Sequence, residues 1–541
     1  MKRGSTVAGT RRYGAGAASL AFVLSGVLSG CTVGPDYRAP SAAKIGVPDQ
    51  YYADIAPGAA APDAQELATW WAALGDPLLD RLVTMALAAN PDIDAAGARL
   101  RQARATYKGA RASLFPTLTA NGSAGRTALL GKGSSLTVAT PGLGTGSSVG
   151  ATSFATSGSY NQFDAGLDAA YEVDLFGGVR RSVEAARGDY ASSAESLRDT
   201  QRTIVAEVAL DYVNARAAQE RLAIARSNLA SEDETLQLVG WRVKAGLVSG
   251  LDLAQAKAQR EQTAASIPAL ETSFAQSVNA VAILAGRAPG SVTALFDPPR
   301  PIPSADRALG ADVPAAMLAQ RPDVRAAERT LAAATARIGV AKAQLYPALQ
   351  LTGTLAGNGT SIGDISRFAT GTLLAAVTAP IFDGGKIRSQ IEDARGGADL
   401  ALAQYRSAVL TALSDVENAL VSLANSRRQV VTLTAAASDS HDALIFAQSQ
   451  YRAGLIDFQT LLDSQRTLLT AQDSLAQARS DRATALIQLY KALGGGWQSA
   501  PMPASALPGT PAAIELPDLS ATPSPIAPSA LGPDTHPTER P

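Results

Sequence analysis

Few side chains in this chain of 541 residues could take part in catalysis. The sequence contains only two histidines, and it shows no nucleophile–base set, no metal-ligand spacing and no phosphate-binding loop. One of them, His441, lies in a segment of helical character, where a surface position fits it better than a ligand role. We therefore expect neither an enzyme nor a bound metal or cofactor.

Covalent chemistry is expected instead at Cys31, the only cysteine. Residues 1–30 begin with basic side chains, continue with an apolar run and end in small residues, as a secretory signal peptide does. The apolar run, Ala15 to Val27, is too short and too rich in glycine to span a membrane comfortably as a helix. The next residues, Leu28-Ser29-Gly30, resemble a bacterial lipobox. We therefore expect a mature chain that begins with lipidated Cys31, and a buried structural cysteine is the alternative.

The charge balance and the residue after Cys31 limit the possible cellular location of the protein and the classes of partner that it could bind. The whole chain has a net charge of −1, and the signal contains basic residues but no acidic ones, so the mature chain is more acidic. No basic stripe is present, which argues against a nucleic-acid partner. Thr32 follows the cysteine where some lipoproteins have aspartate, and by resemblance to other lipoproteins this favours export to the outer membrane.

One segment alternates between apolar and polar residues, which indicates a β-strand. From Gln162 to Leu175, apolar side chains such as Phe163 and Leu167 share one face. The opposite face carries Gln162 and the acidic residues Asp164, Asp168, Glu172 and Asp174. If the apolar face meets lipid, these acids line the lumen of a barrel and give it a mild preference for cations.

Three further segments are predicted to be strands, so that each chain has four. Leu349 to Leu355 alternates clearly, and the weaker candidates are 117–121 and 372–381. Beyond the signal no apolar run is long enough for a spanning helix, so a membrane crossing must be a barrel. Membrane barrels need about eight strands or more. The chain must therefore oligomerise if these strands cross the bilayer.

The sequence contains one long unit twice. Asn90-Pro91-Asp92-Ile93 leads to Phe115-Pro116, and Arg321-Pro322-Asp323-Val324 leads to Tyr346-Pro347 at a constant offset of 231 residues. The offset falls to 208 residues farther along, where Gly246 corresponds to Gly454. Two such repeats predict a pseudo-symmetric architecture. The expected divisions are a signal peptide at 1–30, a lipidated N-terminal segment and equatorial belt at 31–89, repeat 1 at 90–286, an equatorial connector at 287–320, repeat 2 at 321–497 and a disordered Pro/Ala-rich tail at 498–541.

Long helices are expected to occupy most of both repeats. No proline occurs from Val179 to about Val239, and a helix of that length would span roughly 90 Å. Ile204, Val208 and Tyr212 begin an apolar stripe with the spacing of a coiled coil. The fold class is therefore mainly α with a membrane β-barrel part.

Several motifs resemble outer-membrane lipoproteins of the OprM/NodT type, in the TolC superfamily. They are the start Cys31-Thr32-Val33-Gly34-Pro35-Asp36-Tyr37, the doubled Pro-Asp helix starts, the aromatic-proline junctions and the segment Tyr490–Trp497. The resemblance covers residues 31 to about 497. It implies a homotrimer that combines a twelve-stranded barrel in the outer membrane with a long periplasmic α-helical barrel. It also implies a passive exit duct for small molecules, joined by a periplasmic adaptor (membrane fusion) protein to an inner-membrane RND-type transporter.

The resemblance further implies that two helix–helix turns, the hairpin tips, dock the adaptor. The first tip is formed by Arg242, Gly246, Leu247, Val248 and Ser249. The second tip is formed by Tyr451, Arg452, Gly454, Leu455, Ile456 and Asp457. Glycine permits each turn, and an apolar pair follows it. The alternative is a turn that packs only on itself.

The resemblance also implies a periplasmic gate at Asp463, where related channels place an aspartate on the pore axis. Three like charges in a constriction repel each other and attract cations. Gln459 occupies a position where relatives often have leucine, which weakens the expectation of an apolar constriction. Asp252 and Thr460 hold equivalent places in the two repeats and are expected to help tie the closed state. A solvated helix face is the alternative for Asp463.

Two other functions remain open from the sequence. The same scaffold serves as an outer-membrane duct for type I protein secretion, although the lipobox and the Gly34-Pro35-Asp36-Tyr37 start favour small molecules. A lipid-anchored periplasmic coiled-coil scaffold without a pore is the second alternative. The alternation from Phe163 to Leu175 argues against it.

Overall fold

The computed structural model describes residues 32–52, 62–128, 159–304, 320–367 and 369–507. The predicted signal peptide and the predicted lipidation at Cys31 lie outside these ranges. Residues up to 304 form the helices α1 (Ala42–Ile45), α2 (Ala64–Ala68), α3 (Pro77–Ala89), α4 (Pro91–Ala112), α5 (Gly178–Lys244) and α6 (Gly250–Leu284). Residues from 320 onward form α7 (Pro322–Ala343), α8 (Lys386–Ala453) and α9 (Phe458–Ala492). The strands are β1 (Thr117–Ala128), β2 (Ser159–Val173), β3 (Ala348–Gly359) and β4 (Ala369–Thr378).

The two halves of the chain contain the same order of long elements. Helix, strand, strand, long helix and shorter helix occur first as α4, β1, β2, α5 and α6, and then as α7, β3, β4, α8 and α9. The corresponding helices have 22 and 22, 67 and 68, and 35 and 35 residues. With the sequence offsets of 231 and 208, this order assigns a counterpart in one half to most residues of the other.

Local sequence explains where the helices begin and end. The Asn90 side chain accepts hydrogen bonds from the backbone N–H groups of Asp92 and Ile93, and Pro91 occupies the first helical position of α4. Glycines in the left-handed conformation precede both long helices, with φ of +82° at Gly177 and +92° at Gly385. Among the described helices, none combines the length and the apolar character needed to cross a lipid bilayer.

The four strands form one antiparallel sheet in the order β1-β2-β3-β4. The predicted strands are confirmed, and their register places like residues side by side. Leu167 lies opposite Leu355 on one face, and Asp168 lies opposite Thr354 on the other. Strands β1 and β4 are the two edges, and each has one side without a partner strand among the described residues.

The main hydrophobic core surrounds the middle of the long helices and is here called the equatorial core. It joins α3, the centre of α5 and the end of α9, with residues such as Leu79, Val205 and Leu489 fully buried. Trp70 stacks on Tyr490 with ring centroids 5.4 Å apart. This core ties the first half of the chain to the second.

The predicted disorder of the tail is wrong for residues 498–507. A short 3-10 turn at Ala504–Ala506 packs on α4, and Ser505 donates a hydrogen bond to Asp94 at 3.1 Å. Gly97 makes room for it, because a Cβ at this glycine would collide with the Ser505 hydroxyl. Residues 508–541 lie outside the described ranges.

Candidate functional site

The polar face of the sheet carries three of the four predicted lumen acids. Asp164 accepts a hydrogen bond from the Ser123 hydroxyl at 2.9 Å, and Asp168 lies between Thr119 and Thr354 of the neighbouring strands. Glu172 lies opposite Gln350 on the same face. Small and hydroxylated neighbours therefore surround negative charge, which would favour cations along this face.

Asp174 was predicted to line the barrel lumen, and the structure corrects this prediction. Strand β2 ends at Val173, and the Asp174 carboxylate turns to the start of α5, where it accepts backbone hydrogen bonds from Val179 at 3.2 Å and Arg180 at 2.9 Å. The Arg180 guanidinium also lies 3.2 Å from it. Carboxylates are favoured at helix N-termini because the first N–H groups lack helical partners. This acid therefore caps a helix and does not lie on the strand face.

The opposite face of the sheet is apolar and open to its surroundings in a single chain. Leu373 is 84% exposed, and the other exposed apolar residues of this face are Leu118, Leu167, Leu355 and Val377. Exposed apolar surface on this scale marks a membrane or protein contact.

The first hairpin tip closes the α5–α6 pair through a glycine turn. Gly246 has φ of +72°, and the Leu247 N–H donates to the carbonyl oxygen of Arg242 at 2.9 Å. Ser249 caps α6 by accepting a hydrogen bond from the backbone of Asp252. Leu247 is 72% exposed, whereas Val248 is half-buried against the helices above it.

The second tip repeats this geometry with φ of +75° at Gly454 and with Leu455 75% exposed. Arg452 and Asp457 are exposed as well, and Ile456 is half-buried. Tyr451 was predicted to be one of the docking residues, and the structure corrects this prediction. Only 1% of the residue is exposed, so a partner cannot contact it directly. Its ring supports the tip from within.

Cation–π packing connects the two tips. The Arg242 guanidinium carbon lies 4.5 Å from the centroid of the Tyr451 ring, and its Nη2 donates to the Arg452 carbonyl oxygen at 3.2 Å. The two exposed leucines are therefore carried on one connected surface.

The predicted gate residue Asp463 is exposed on α9 and has two polar neighbours on its own helix. Its carboxylate accepts a hydrogen bond from the Gln459 amide at 3.0 Å and lies 3.9 Å from the Arg466 guanidinium. Gln459 thus holds the aspartate in place. The structure does not bring Asp252 to this pair, and Thr460 instead donates its backbone N–H and its hydroxyl to Asp457, which caps α9. Those two hydrogen bonds from Thr460 lower the pKa of Asp457.

A buried polar cluster behind Asp463 escaped the sequence analysis. Glu232 on α5 accepts hydrogen bonds at 3.0 Å from Gln259 and Thr263 of α6. The Gln259 carbonyl oxygen accepts in turn from Arg466 of α9 at 2.7 Å. Burial raises the pKa of Glu232. The cluster connects the two hairpins just above the tips, and no sequence signal marks it because its residues come from three helices.

The N-terminal strap, defined as residues 32–38, crosses the point where the sheet meets the helices. The Val33 N–H donates to the carbonyl oxygen of Phe176 at 3.1 Å. A Cβ at Gly177 would lie 2.9 Å from the Thr32 side chain, so glycine is needed there. The strap therefore holds Thr32, the residue after the predicted lipidation site, beside the end of the sheet.

A second close contact holds the strap against α7. Gly34 has φ of +108°, and a Cβ on it would lie 2.5 Å from the Cα of Gly339. Arg181, which is buried, lies 2.6 Å from Asp36 and 2.7 Å from Glu184. Strap, α5 and α7 are therefore packed without room for a side chain between the two glycines.

Comparison with known proteins places this arrangement in context. Residues 82–287 and 313–495 match the family described as outer membrane efflux protein. The pyoverdine export outer membrane protein OpmQ of Pseudomonas aeruginosa is 35% identical over 81% of this chain and 89% of its own length. Nodulation protein T of Rhizobium leguminosarum bv. trifolii is 30% identical over 87% of this chain and 96% of its own.

Two solved structures share the architecture. The outer-membrane channel OprN superposes with a TM-score of 0.74 at 34% identity, covering 86% of this chain and all of that one. The open state of the Neisseria gonorrhoeae MtrE outer membrane channel superposes with a TM-score of 0.71 at 28% identity, covering 87% of this chain and 99% of that one. The predicted fold class, with four strands in a chain that is otherwise mainly helical, is confirmed.

Proposed function

This chain belongs to the outer membrane efflux protein family, and on that premise we propose that three copies form one exit channel for a tripartite efflux pump. The channel lies in the outer membrane and extends into the periplasm. It is passive: an inner-membrane transporter of the RND type supplies the energy, and a periplasmic adaptor joins the two. The exported class is small molecules, as the names of the pyoverdine export protein OpmQ and of the antibiotic efflux pump protein ArpC of Pseudomonas putida indicate for those relatives.

The open four-stranded sheet is the observation that carries this proposal. Strands β1 and β4 expose unpaired backbone groups along one side each, which is not tolerated within the hydrocarbon of a bilayer. Pairing β4 of one copy with β1 of the next removes both edges, and three copies supply twelve strands, enough to close a barrel. The apolar face with Leu373 then meets lipid, and the face with Asp168 lines the pore.

The lipid anchor is part of the proposal. The Leu28-Ser29-Gly30-Cys31 sequence supplies the modification site, and the contact between Thr32 and Gly177 supplies the position. An acyl group on Cys31 would emerge where the sheet gives way to the helices, at the inner surface of the outer membrane.

The hairpin tips are the proposed docking surface for the adaptor. They lie at the far end of α5 and α8, each of which spans roughly 100 Å. Leu247 and Leu455 project from the two turns, and the residues that the structure describes leave both largely exposed. An adaptor with an apolar end would bury both.

The proposed gate is the ring of Asp463 carboxylates from three copies. Asp463→Ala removes the charge and is expected to raise the resting conductance of the trimer in planar bilayers, because the carboxylate no longer holds Gln459 and Arg466. Asp481→Ala, which removes another exposed aspartate of α9 that accepts a hydrogen bond from a glutamine four residues earlier, is the control. Equal closed-state conductance in the Asp463→Ala and wild-type proteins would refute the gate assignment.

The function itself is tested on the full-length protein in detergent. We expect a trimer that needs amphiphile for solubility, conducts ions in planar bilayers and co-purifies with an adaptor and an RND-type transporter. A stable monomer that dissolves without amphiphile would overturn the proposal. A trimer that co-purifies with a type I secretion transporter would keep the channel and replace its cargo by polypeptides.

A further inference from the structure

The contacts between the two halves of one chain indicate which residues join neighbouring copies. We infer that the surface of α8 that carries Gly396, Leu400 and Leu410 receives α4 of a second copy, and that Phe382, which lies just before α8, stacks on Phe115 of that copy. The inference rests on the proposed trimer and deepens it, because it names the residues of the joint.

The first observation is an aromatic stack inside the chain. Phe176 follows β2, Tyr346 precedes β3, and their rings stack with centroids 4.6 Å apart and planes 19° apart. This stack lies at the base of the β2–β3 pair, where the first half of the chain meets the second.

The counterparts of these two rings are both open in a single chain. Phe382 follows β4 just before the Gly384-Gly385 bend, as Phe176 follows β2, and it is 91% exposed. Phe115 precedes β1 at the Phe-Pro junction, as Tyr346 precedes β3, and it is 64% exposed. Pairing β4 with β1 of the next copy brings this second pair of rings together at the base of the joint.

The second observation is a glycine inside a helix. At Gly188 on α5, an added Cβ would lie 2.9 Å from the Cβ of Ala333 on α7, so the glycine allows these two helices to approach closely. Its counterpart at an offset of 208 is Gly396 on α8, where an added Cβ meets no atom within 4 Å. Glycine inside a helix is destabilising relative to alanine. None of the described residues of the single chain explains the glycine at 396, whereas a helix of the next copy would.

Two further positions on α8 follow the same correspondence. Ser192 on α5 hydrogen-bonds to the Ala326 carbonyl oxygen and the Thr330 hydroxyl of α7, and its counterpart is Leu400, which is exposed. Arg202 reaches the Lys491 carbonyl oxygen of the second half, and its counterpart is the exposed Leu410.

The α8 side of the contact between copies is therefore more apolar than the α5 side of the contact within a chain. Where α5 presents Ser192 and Arg202 to the second half, α8 presents leucines. The receiving face on α4 contains the counterparts of Ala333, Thr330 and Asp323, all of which are exposed in the single chain: Gln102, Arg99 and Asp92. An association that must form after each chain has folded gains more from apolar burial than an internal contact does.

Cross-linking tests the stack directly in the full-length protein. The variant Phe115→Cys with Phe382→Cys, treated with a short bifunctional thiol reagent, is expected to run as a covalent trimer on denaturing gels. The two single variants report any background from Cys31. Phe176→Cys with Tyr346→Cys is the positive control, and Phe115→Cys with Val431→Cys, which pairs Phe115 with an exposed residue far down α8, is the negative control.

The outcomes separate this inference from the proposed function. A covalent trimer from the 115/382 pair, absent from the negative control, supports the joint. Native trimers that conduct, with a cross-linked positive control but no 115/382 product, overturn the joint and leave the channel standing. A wild-type protein that is monomeric and does not conduct overturns both.

The helical glycine supplies a second and independent measurement. Gly396→Leu is expected to lower the trimeric fraction by about tenfold or more, because overpacking a close helix contact is strongly unfavourable. Gly397→Leu is the matched control, since its counterpart Asp189 already carries a side chain at the rim of the α5–α7 contact. Equal trimer fractions in the two variants, both with native helical content, would overturn the close approach at Gly396.

Discussion

The equatorial core and the two ends of the chain differ in how completely one copy buries its apolar residues. In the equatorial core, Leu79, Val205 and Leu489 have no exposed surface within the single chain. At the sheet, Leu373 is almost fully exposed, and at the second tip Leu455 is largely exposed. The core therefore specifies the fold of one copy. In the proposed channel, the ends are surfaces that lipid, sister copies and a partner protein complete.

Polar groups show the same contrast. In the equatorial core the Tyr212 hydroxyl donates to Asp76 and accepts from Arg216 at 2.9 Å, and Arg216 also donates to the Phe296 carbonyl oxygen at 2.9 Å. At the tip, Asp457 is open to solvent apart from its capping bonds to Thr460. Substitutions should accordingly affect folding at the equator and assembly or transport at the ends.

The largest expected effect is on transport, at the tips. Leu247→Asp with Leu455→Asp should abolish drug efflux in cells while trimers and helical content persist, because the charges oppose burial of both leucines by an adaptor. Leu247→Met with Leu455→Met keeps the surface apolar and is the control. Normal drug resistance with the aspartate variant would show that docking does not use these residues.

The next effect is on folding, at the equator. Arg216→Ala should lower the free energy of unfolding by about 3–5 kcal/mol, because it leaves buried acceptors unpaired and creates a cavity. Arg226→Ala removes an exposed ion pair with Glu271 and should cost only about 0.2–1 kcal/mol. Chemical denaturation of the detergent-solubilised protein measures both. Equal midpoints for the two variants would contradict the contrast.

The effect at the sheet should depend on which face is changed. Leu373→Arg places a charge on the face proposed to meet lipid and should destabilise the inserted state by about 2–4 kcal/mol near the bilayer midplane. Thr372→Arg, one residue earlier, places the same charge on the polar face and should insert almost normally. Refolding into vesicles compares the two. Equal insertion would show that the faces are assigned the wrong way round.

The smallest effect concerns pH and the buried cluster above the tips. Because burial raises the pKa of Glu232, its charged form destabilises the folded state as the pH rises through that pKa. Glu232→Gln should therefore raise the unfolding temperature at pH 7 and change it little below the ordinary glutamate pKa of about 4.3. Glu234→Gln, at an exposed glutamate two residues farther along α5, is the control. A gain that is equally large at low pH would point to a cause other than charge burial.

Patterns confined to a short stretch of sequence predicted the fold well. Strand β2 was predicted at 162–175 and occurs at Ser159–Val173, because the side chains of a strand with two unlike faces must alternate along consecutive residues. The aromatic-proline junctions predicted the borders between helix and strand for the same local reason. Asp174 was misassigned by continuing the alternation one residue past the strand.

The site was less predictable because it depends on contacts between distant residues. The sequence predicts Tyr451 as a docking residue of the second tip. In the structure, the Arg242 guanidinium of the other hairpin covers its ring. Gln259 and Arg466 are 207 residues apart, and neither lies in a recognisable motif. Tyr212 fits a coiled-coil stripe, and only the fold reveals that its hydroxyl bonds to Asp76.

The close contact between Gly34 and Gly339 holds the N-terminal strap in place and so limits how far a lipid at the N-terminus could move relative to the channel. Thr32 is held against Gly177, so an acylated residue one peptide unit earlier has about 3.8 Å of backbone between its Cα and a fixed point. Such a short attachment would leave the lipid little freedom to move relative to the protein. It would fix the depth of the channel in the inner leaflet, and lengthening the strap by a few residues would make that depth variable.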